Sequence, residues 1–218
     1  MNIICLPCMG TFGVNCYIIE NSSSDCVLID APAGAEYILS EIEKRGLKLK
    51  KILLTHGHCD HIETAAEISE KTGAEVYIHE ADMKKLSNPN TNLTAYFGLP
   101  PVAAAENAVA VSGGDIISEG ELEFKVLHTP GHTSGSVCYI MGDNMFCGDT
   151  LFRRSMGRTD MPDGDDDVML GTLAMLYDFD KDVDYKLFSG HGEMTSMTEE
   201  RANNPYMKYA HKAVSQGM

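Results

Sequence analysis

No apolar run in the 218-residue sequence approaches the roughly 20 residues that a bilayer-spanning helix needs. No membrane partner is therefore expected. The opening MNIICLPCMGTFGVNCYIIE lacks a basic start followed by a long apolar core. It is expected to be folded chain and not a signal peptide. Basic residues are scarce: 17 Lys and Arg stand against 32 Asp and Glu, for a net charge of −15. Binding to a nucleic-acid backbone by counterion release needs clustered Lys and Arg, and no such stripe is present. A nucleic-acid partner is excluded on that ground, and the acidity is assigned to solubility. Internal repeats and low-complexity linkers are also missing. A single domain over 1–218 is expected, with a short helical C-terminal extension over about 198–218.

The seven cysteines (5, 8, 16, 26, 59, 138 and 147) are odd in number, and most sit in apolar runs such as VCYIM and MFCGD. That usage suits reduced, buried thiols and a cytoplasmic location. Cys5 and Cys8 form one C-x-x-C. No second pair accompanies it and Cys5 lies in the strand-like NIICLP, so no redox or metal role is assigned.

What is present is the patterning of a globular protein, with 44% hydrophobic and 22% charged residues. NIICLP, NCYIIE and DCVLID read as strands separated by Gly- or Ser-containing turns. GAEYILSEIEKRG has helical spacing and closes on Gly46, and IETAAEISEKTG closes likewise on Gly73. KKILLT and AEVYIHE are short strands. The stretch 87–111, rich in Asn, Pro and Ala, has no clear period and is expected to be a loop over something. Strands resume with DIIS, ELEFKVLHT, SVCYIMG, NMFCGDT and YKLFSG. DDDVMLGTLAMLYDF is expected to be helical, its acidic start at 165–167 favoured by the helix dipole. TEERANNPYMKYAHKAVSQ gives terminal helices interrupted near Pro205. Strands and helices in this order suggest two packed sheets with helices outside.

The strongest chemical signal is Thr55-His56-Gly57-His58-Cys59-Asp60-His61, between the strand KILL and a helix. In extended chain, residues two apart point the same way, so His56 and His58 can share one ion. At the turn into the helix, Asp60 and His61 can face a second. Imidazole and carboxylate suit zinc, iron and manganese. Gly57 is expected to let the backbone pass close to the ions. His132 in HTPGHTSGS, Asp149 in FCGDT and His191 in LFSGHGE each stand where a loop leaves a strand, and they complete a seven-residue set. His79, His128 and His211 are read as structural, with His128 close enough in sequence to support a ligand from behind. Asn15 and Tyr17 fall near a turn that could border the pocket.

HGHCDH, Pro-Gly-His-Thr at 130–133, Gly-Asp-Thr at 148–150 and Gly-His-Gly at 190–192 resemble, in order and separation, the motif series of the metallo-β-lactamase superfamily. The resemblance covers most of the chain. It implies an α/β (α+β) fold, a four-layer αβ/βα sandwich of two mixed sheets with helices on the outer faces. It implies that His56, His58 and His132 hold one metal, that Asp60, His61 and His191 hold the other, and that Asp149 bridges them. DTLFRRSMGRTDMPDGD at 149–165 and GHGEMTSMTEERANNPYM at 190–207 resemble the glyoxalase II group, the hydroxyacylglutathione hydrolases. The resemblance is to short bacterial members, without the full helical C-terminal domain that supplies much of the glutathione contact in longer ones. The implied activity is attack of a metal-bound hydroxide on a thioester such as S-lactoylglutathione. Two divalent ions, zinc first and iron or manganese as alternatives, serve as cofactors, and Asp60 orients the water as the catalytic residue. A small acyl thioester is the expected partner of a monomer or homodimer. Arg158 and Arg154 are candidate anchors for a substrate carboxylate, although Arg158 could instead pair with Asp160. Among relatives, β-lactamases lack the aspartate at the bridging position, and flavodiiron enzymes carry a carboxylate where His58 stands. Persulfide dioxygenases resemble Gly157-Arg158-Thr159-Asp160 and bind a single iron. They are the alternative reading, an oxidoreductase in place of a hydrolase.

Overall fold

The computed structural model describes residues 2–7 and 10–217. Cys8 of the C-x-x-C lies outside the described residues. One six-stranded sheet is built from β1 (Asn2–Pro7), β2 (Asn15–Glu20), β3 (Asp25–Ile29), β4 (Lys48–Leu53), β5 (Glu75–His79) and β6 (Ala108–Val111), in that spatial order. β1, β2 and β3 pair antiparallel, and β3 through β6 pair parallel. The second sheet uses β7 (Ile116–Glu119), β8 (Leu122–His128), β9 (Val137–Met141), β10 (Asn144–Gly148), β13 (Lys186–Ser189) and β14 (Thr195–Ser196). Its order is β14-β13-β10-β9-β8-β7. A small hairpin, β11 (Leu151–Phe152) with β12 (Ser155–Met156), stands apart from both.

Both sheets are covered on two faces, and alternation along the strands shows why. In β2, Tyr17 and Ile19 face the cluster between the sheets, while Cys16 and Ile18 face the other way. β9 does the same, sending Val137, Tyr139 and Met141 inward and Cys138 and Ile140 outward. The outer face of the first sheet packs on α1 (Ala35–Lys44) and α3 (Ala65–Thr72) through Ile38, Ile42 and Ile68. The outer face of the second packs on α5 (Asp166–Asp178) through Met169, Leu173 and Leu176. α6 (Met197–Asn203) and α7 (Pro205–Ser215) join that same cluster through Met197, Met207 and Ala210, so the terminal helices belong to the outer layer. The layers run helix, sheet, sheet, helix: two mixed sheets with helices outside.

Local signals act as their chemistry demands. Asp165 caps α5 by accepting from the Val168 N–H, and Asn204 caps α7 ahead of Pro205. Gly73 closes α3 in the left-handed region. The sequence 87–111 is less irregular than expected. It contains α4 (Thr94–Phe97) and ends in β6, preceded by a 3₁₀ helix over Glu80–Leu86. The helix expected over IETAAEISEKTG is two pieces, the short α2 (Cys59–Ile62) and then α3.

Candidate metal centre

All seven chosen side chains meet at one edge of the two sheets, each carried on a loop that follows a strand or on α2. β4 runs out into His56 and His58, and His58 is extended at φ −71 and ψ 146 before α2 begins. α2 supplies Asp60 and His61. The turn between β8 and β9 supplies His132, the residue after β10 is Asp149, and the loop after β13 supplies His191. Three trios of donor atoms lie within 4.8 Å of one another: His56–His58–His132, His56–His61–Asp149 and Asp60–His61–His191.

The spacings suit cations. Two donors each about 2.0–2.1 Å from a tetrahedral ion stand about 3.3 Å apart. Here His58 Nδ1 is 2.9 Å from His132 Nε2, and His61 Nε2 is 3.4 Å from His191 Nε2. Asp149 touches both groups: Oδ1 is 3.3 Å from His61, and Oδ2 is 3.6 Å from His132 and 3.3 Å from His191. Asp60 Oδ2 is 3.5 Å from His191 Nε2. His56 Nε2 and Asp149 Oδ1 are buried and find no hydrogen-bond partner among the described residues. Buried polar atoms are normally satisfied, so these orphans fit a site made for ions.

The electrostatics divide the imidazoles. Burial, with the neighbouring imidazoles, pushes His56 well below its ordinary value, and burial and His132 bring His58 to about 3. Burial also acts on His61, but Asp149, Asp30 and Asp60 outweigh it and hold that ring well above the usual value. For His191, Asp149 and Asp60 overcome burial and lift the ring to about 10. Burial alone would raise Asp149, yet His61 and His191 keep it well below the carboxylate range. Neutral rings are ready ligands, while His61 and His191 must give up protons to bind a metal.

Supporting groups hold the ligands in place. His61 Nδ1 is 2.8 Å from Asp30 Oδ2, and Asp30 also accepts from the Thr55 N–H at 2.7 Å and hydroxyl at 2.9 Å. His132 Nδ1 is 2.7 Å from the Arg158 carbonyl. Buried Asp82 accepts from Gly57 N at 2.7 Å, Thr133 Oγ1 at 2.9 Å and Gly135 N at 3.0 Å, so it ties the His58 loop to the His132 loop. Asn15 donates its backbone N–H to Gly190 O and its side-chain amide to Ser189 O and Gly192 O, while Tyr17 OH reaches Ser189 O. These two border the site by fixing the His191 loop. A Cβ on Gly190 would lie 2.3 Å from Asp149 Oδ1, so only glycine lets that loop approach. Asp30 and Asp82 were missed in the sequence. The single available hint was an acid closing the apolar run DCVLID.

The structure places four other residues singled out in the sequence as follows. Gly57 approaches the Lys85 stem, where a Cβ would stand 2.6 Å away, and not the donor cluster. Arg154 turns to Glu199 and is not among the residues lining the cavity over the ligands. Arg158 does line that cavity, but its guanidinium is held by Asp160 at 2.7 and 2.8 Å. His128 stacks on His79 with centroids 4.2 Å apart and bonds to Ser134 O, so it supports no ligand ring directly.

The metallo-β-lactamase superfamily model matches residues 9–191. This chain belongs to the metallo-β-lactamase superfamily. It is 32% identical to the hydroxyacylglutathione hydrolase GloC of Haemophilus influenzae, over 95% of this chain and 98% of that one. Among solved structures it is similar to BLEG-1, described as a B3 metallo-β-lactamase, with 29% identity, a TM-score of 0.87, and 94% and 99% of the two chains covered. TTHA1623, solved in a di-iron-bound form, is 30% identical with a TM-score of 0.81, covering 92% of this chain and 99% of that one. Members of this superfamily are generally metal-dependent hydrolases, and the His/Asp cluster here is of a kind able to bind metals.

Proposed function

We propose that the chain is a dinuclear metal-dependent hydrolase of acyl thioesters. The observation that carries this reading is Asp149, which stands between two groups of donors and whose own buried Oδ1 finds no hydrogen-bond partner. His56, His58 and His132 would hold one ion, Asp60, His61 and His191 the other, and Asp149 both. The likeness to GloC supports the thioester, and the di-iron neighbour supports iron as an alternative to zinc. Two such ions supply Lewis acidity and bring the pKa of bound water toward neutrality.

The chain's own groups do the rest. Burial opposes ionisation of Asp60, but His61 and His191 keep its carboxylate charged and able to orient a water by accepting a hydrogen bond from it. Leu93, Phe97 and Met161 wall the cavity and narrow the space open to bulk water. A thiolate leaves without a strong general acid, and this reading asks for none.

The test is turnover by metal-loaded protein of S-lactoylglutathione, a neutral thioester, a β-lactam and a persulfide. Thioester cleavage is expected. Ring opening of the β-lactam alone, or oxygen uptake with the persulfide and no hydrolysis, would overturn the proposal.

A further inference from the structure

The cavity over the ligands encloses 410 Å³. Beyond the metal-binding side chains its walls are Phe12, Leu93, Phe97, Phe152, Met156 and Met161, with Ser155 and Arg158 as the polar members. Phe12, from the loop before β2, and Phe97, at the end of α4, meet with ring centroids 5.0 Å apart, yet each keeps more than a third of its surface exposed, 37% and 39%. Open aromatic surface beside a reaction centre is where an apolar substrate arm gains binding energy.

Each cation around the cavity already faces a carboxylate of the chain, at the surface for the three arginines and in the interior for Lys85. Arg158 is gripped by Asp160 through two hydrogen bonds. Arg153 pairs with Glu193, and Arg154 pairs with Glu199. Lys85 is buried against Asp82 and Asp163. A second cavity, of 380 Å³, shares Phe12 and Asp60 with the first. Its charged lining is Asp60, Glu63 and Glu67, without Lys, Arg or His. A glutathione arm would bring two carboxylates and one ammonium, a net negative charge, into these surroundings.

We infer that the site selects acyl thioesters with an apolar acyl group and a thiol arm free of carboxylates, in preference to glutathione conjugates. This inference rests on the thioester reading above and narrows its substrate class. Water adds at the acyl carbon, the C–S bond breaks, the water oxygen stays on the acid product and a proton passes to the departing sulfur. Phe12 and Phe97 receive the acyl chain. Asp160 sets the discrimination by neutralising Arg158.

The experiment compares kcat/KM of the metal-loaded protein for hexanoyl-N-acetylcysteamine, acetyl-N-acetylcysteamine and hexanoylglutathione. The neutral hexanoyl ester is expected to exceed its glutathione counterpart by at least about tenfold, the effect of one unpaired polar contact. F97S is expected to lower the hexanoyl-to-acetyl ratio by about tenfold. D160N frees the Arg158 guanidinium and should shift the glutathione-to-neutral ratio upward by roughly threefold or more. Ratios within one variant are insensitive to a partial loss of folded protein. A preference for hexanoylglutathione, or a smaller margin, overturns the inference and leaves the thioester reading intact. Cleavage of none of the three esters by fully loaded protein overturns both.

Discussion

Asp149 joins the two donor groups, with one oxygen toward His61 and the other toward His132 and His191. D149A is therefore expected to lose at least one metal and to lower turnover by about 10²-fold or more. Elemental analysis with an activity assay checks it, and unchanged metal content would contradict the bridging role. Asp30 acts from behind, through His61 Nδ1. D30A should weaken metal binding by about 10–100-fold while leaving all seven ligands in place, as competition with a chromophoric chelator would show. Protons compete at the same atoms. His61 and His191 have raised pKa values in the metal-free protein, His191 to about 10, so both rings are protonated at neutral pH. A ligand nitrogen must be deprotonated, so metal binding expels those protons and affinity rises with pH until His191 titrates. Calorimetry in buffers of differing ionisation enthalpy should show proton release near neutrality that shrinks toward pH 10; a release independent of pH would contradict the assignment.

The elements explain why seven scattered residues converge. β4 of the first sheet and β10 and β13 of the second end along one edge, and the β8–β9 turn reaches it from the second sheet. Asp82 fastens two of these loops together while Lys85 pairs with it inside the protein. D82A leaves Lys85 with the partly exposed Asp163 alone and orphans the Gly57 and Gly135 N–H groups, and should cost about 3 kcal/mol or more in urea unfolding. It should also weaken the His56–His58–His132 group more than the other. Much of this was legible in sequence. Helical spacing located α1, α5 and the terminal helices, and apolar runs located most strands of both sheets. The seven histidines and aspartates were legible because they cluster or follow strands. Asp82 was not, because one acid in a 3₁₀ turn has no period to betray its burial. β6 was hidden because Ala108–Val111 is only four residues long and follows a Pro- and Ala-rich stretch of no clear period. The pairing of Arg154 with Glu199 was not legible, because the two lie 45 residues apart and only the fold brings them together.

At the scale of the molecule, the core and the metal site are separable. Phe124 is fully buried between the sheets. F124A should cost about 3–5 kcal/mol of stability without changing metal stoichiometry, as thermal unfolding and elemental analysis would show. Chelation should do the reverse, removing activity and the linkage stabilisation, about 2.7 kcal/mol at a metal concentration one hundred times Kd, while the four-layer fold persists. Two divalent ions would move the formal charge from −15 to −11, still acidic. The central claim is most directly tested by counting metals per chain in a preparation whose thioester hydrolysis is measured at the same time. About two metals, with activity rising only as the second is loaded, is the predicted result. About one metal at full loading, with no thioester cleaved, would contradict it.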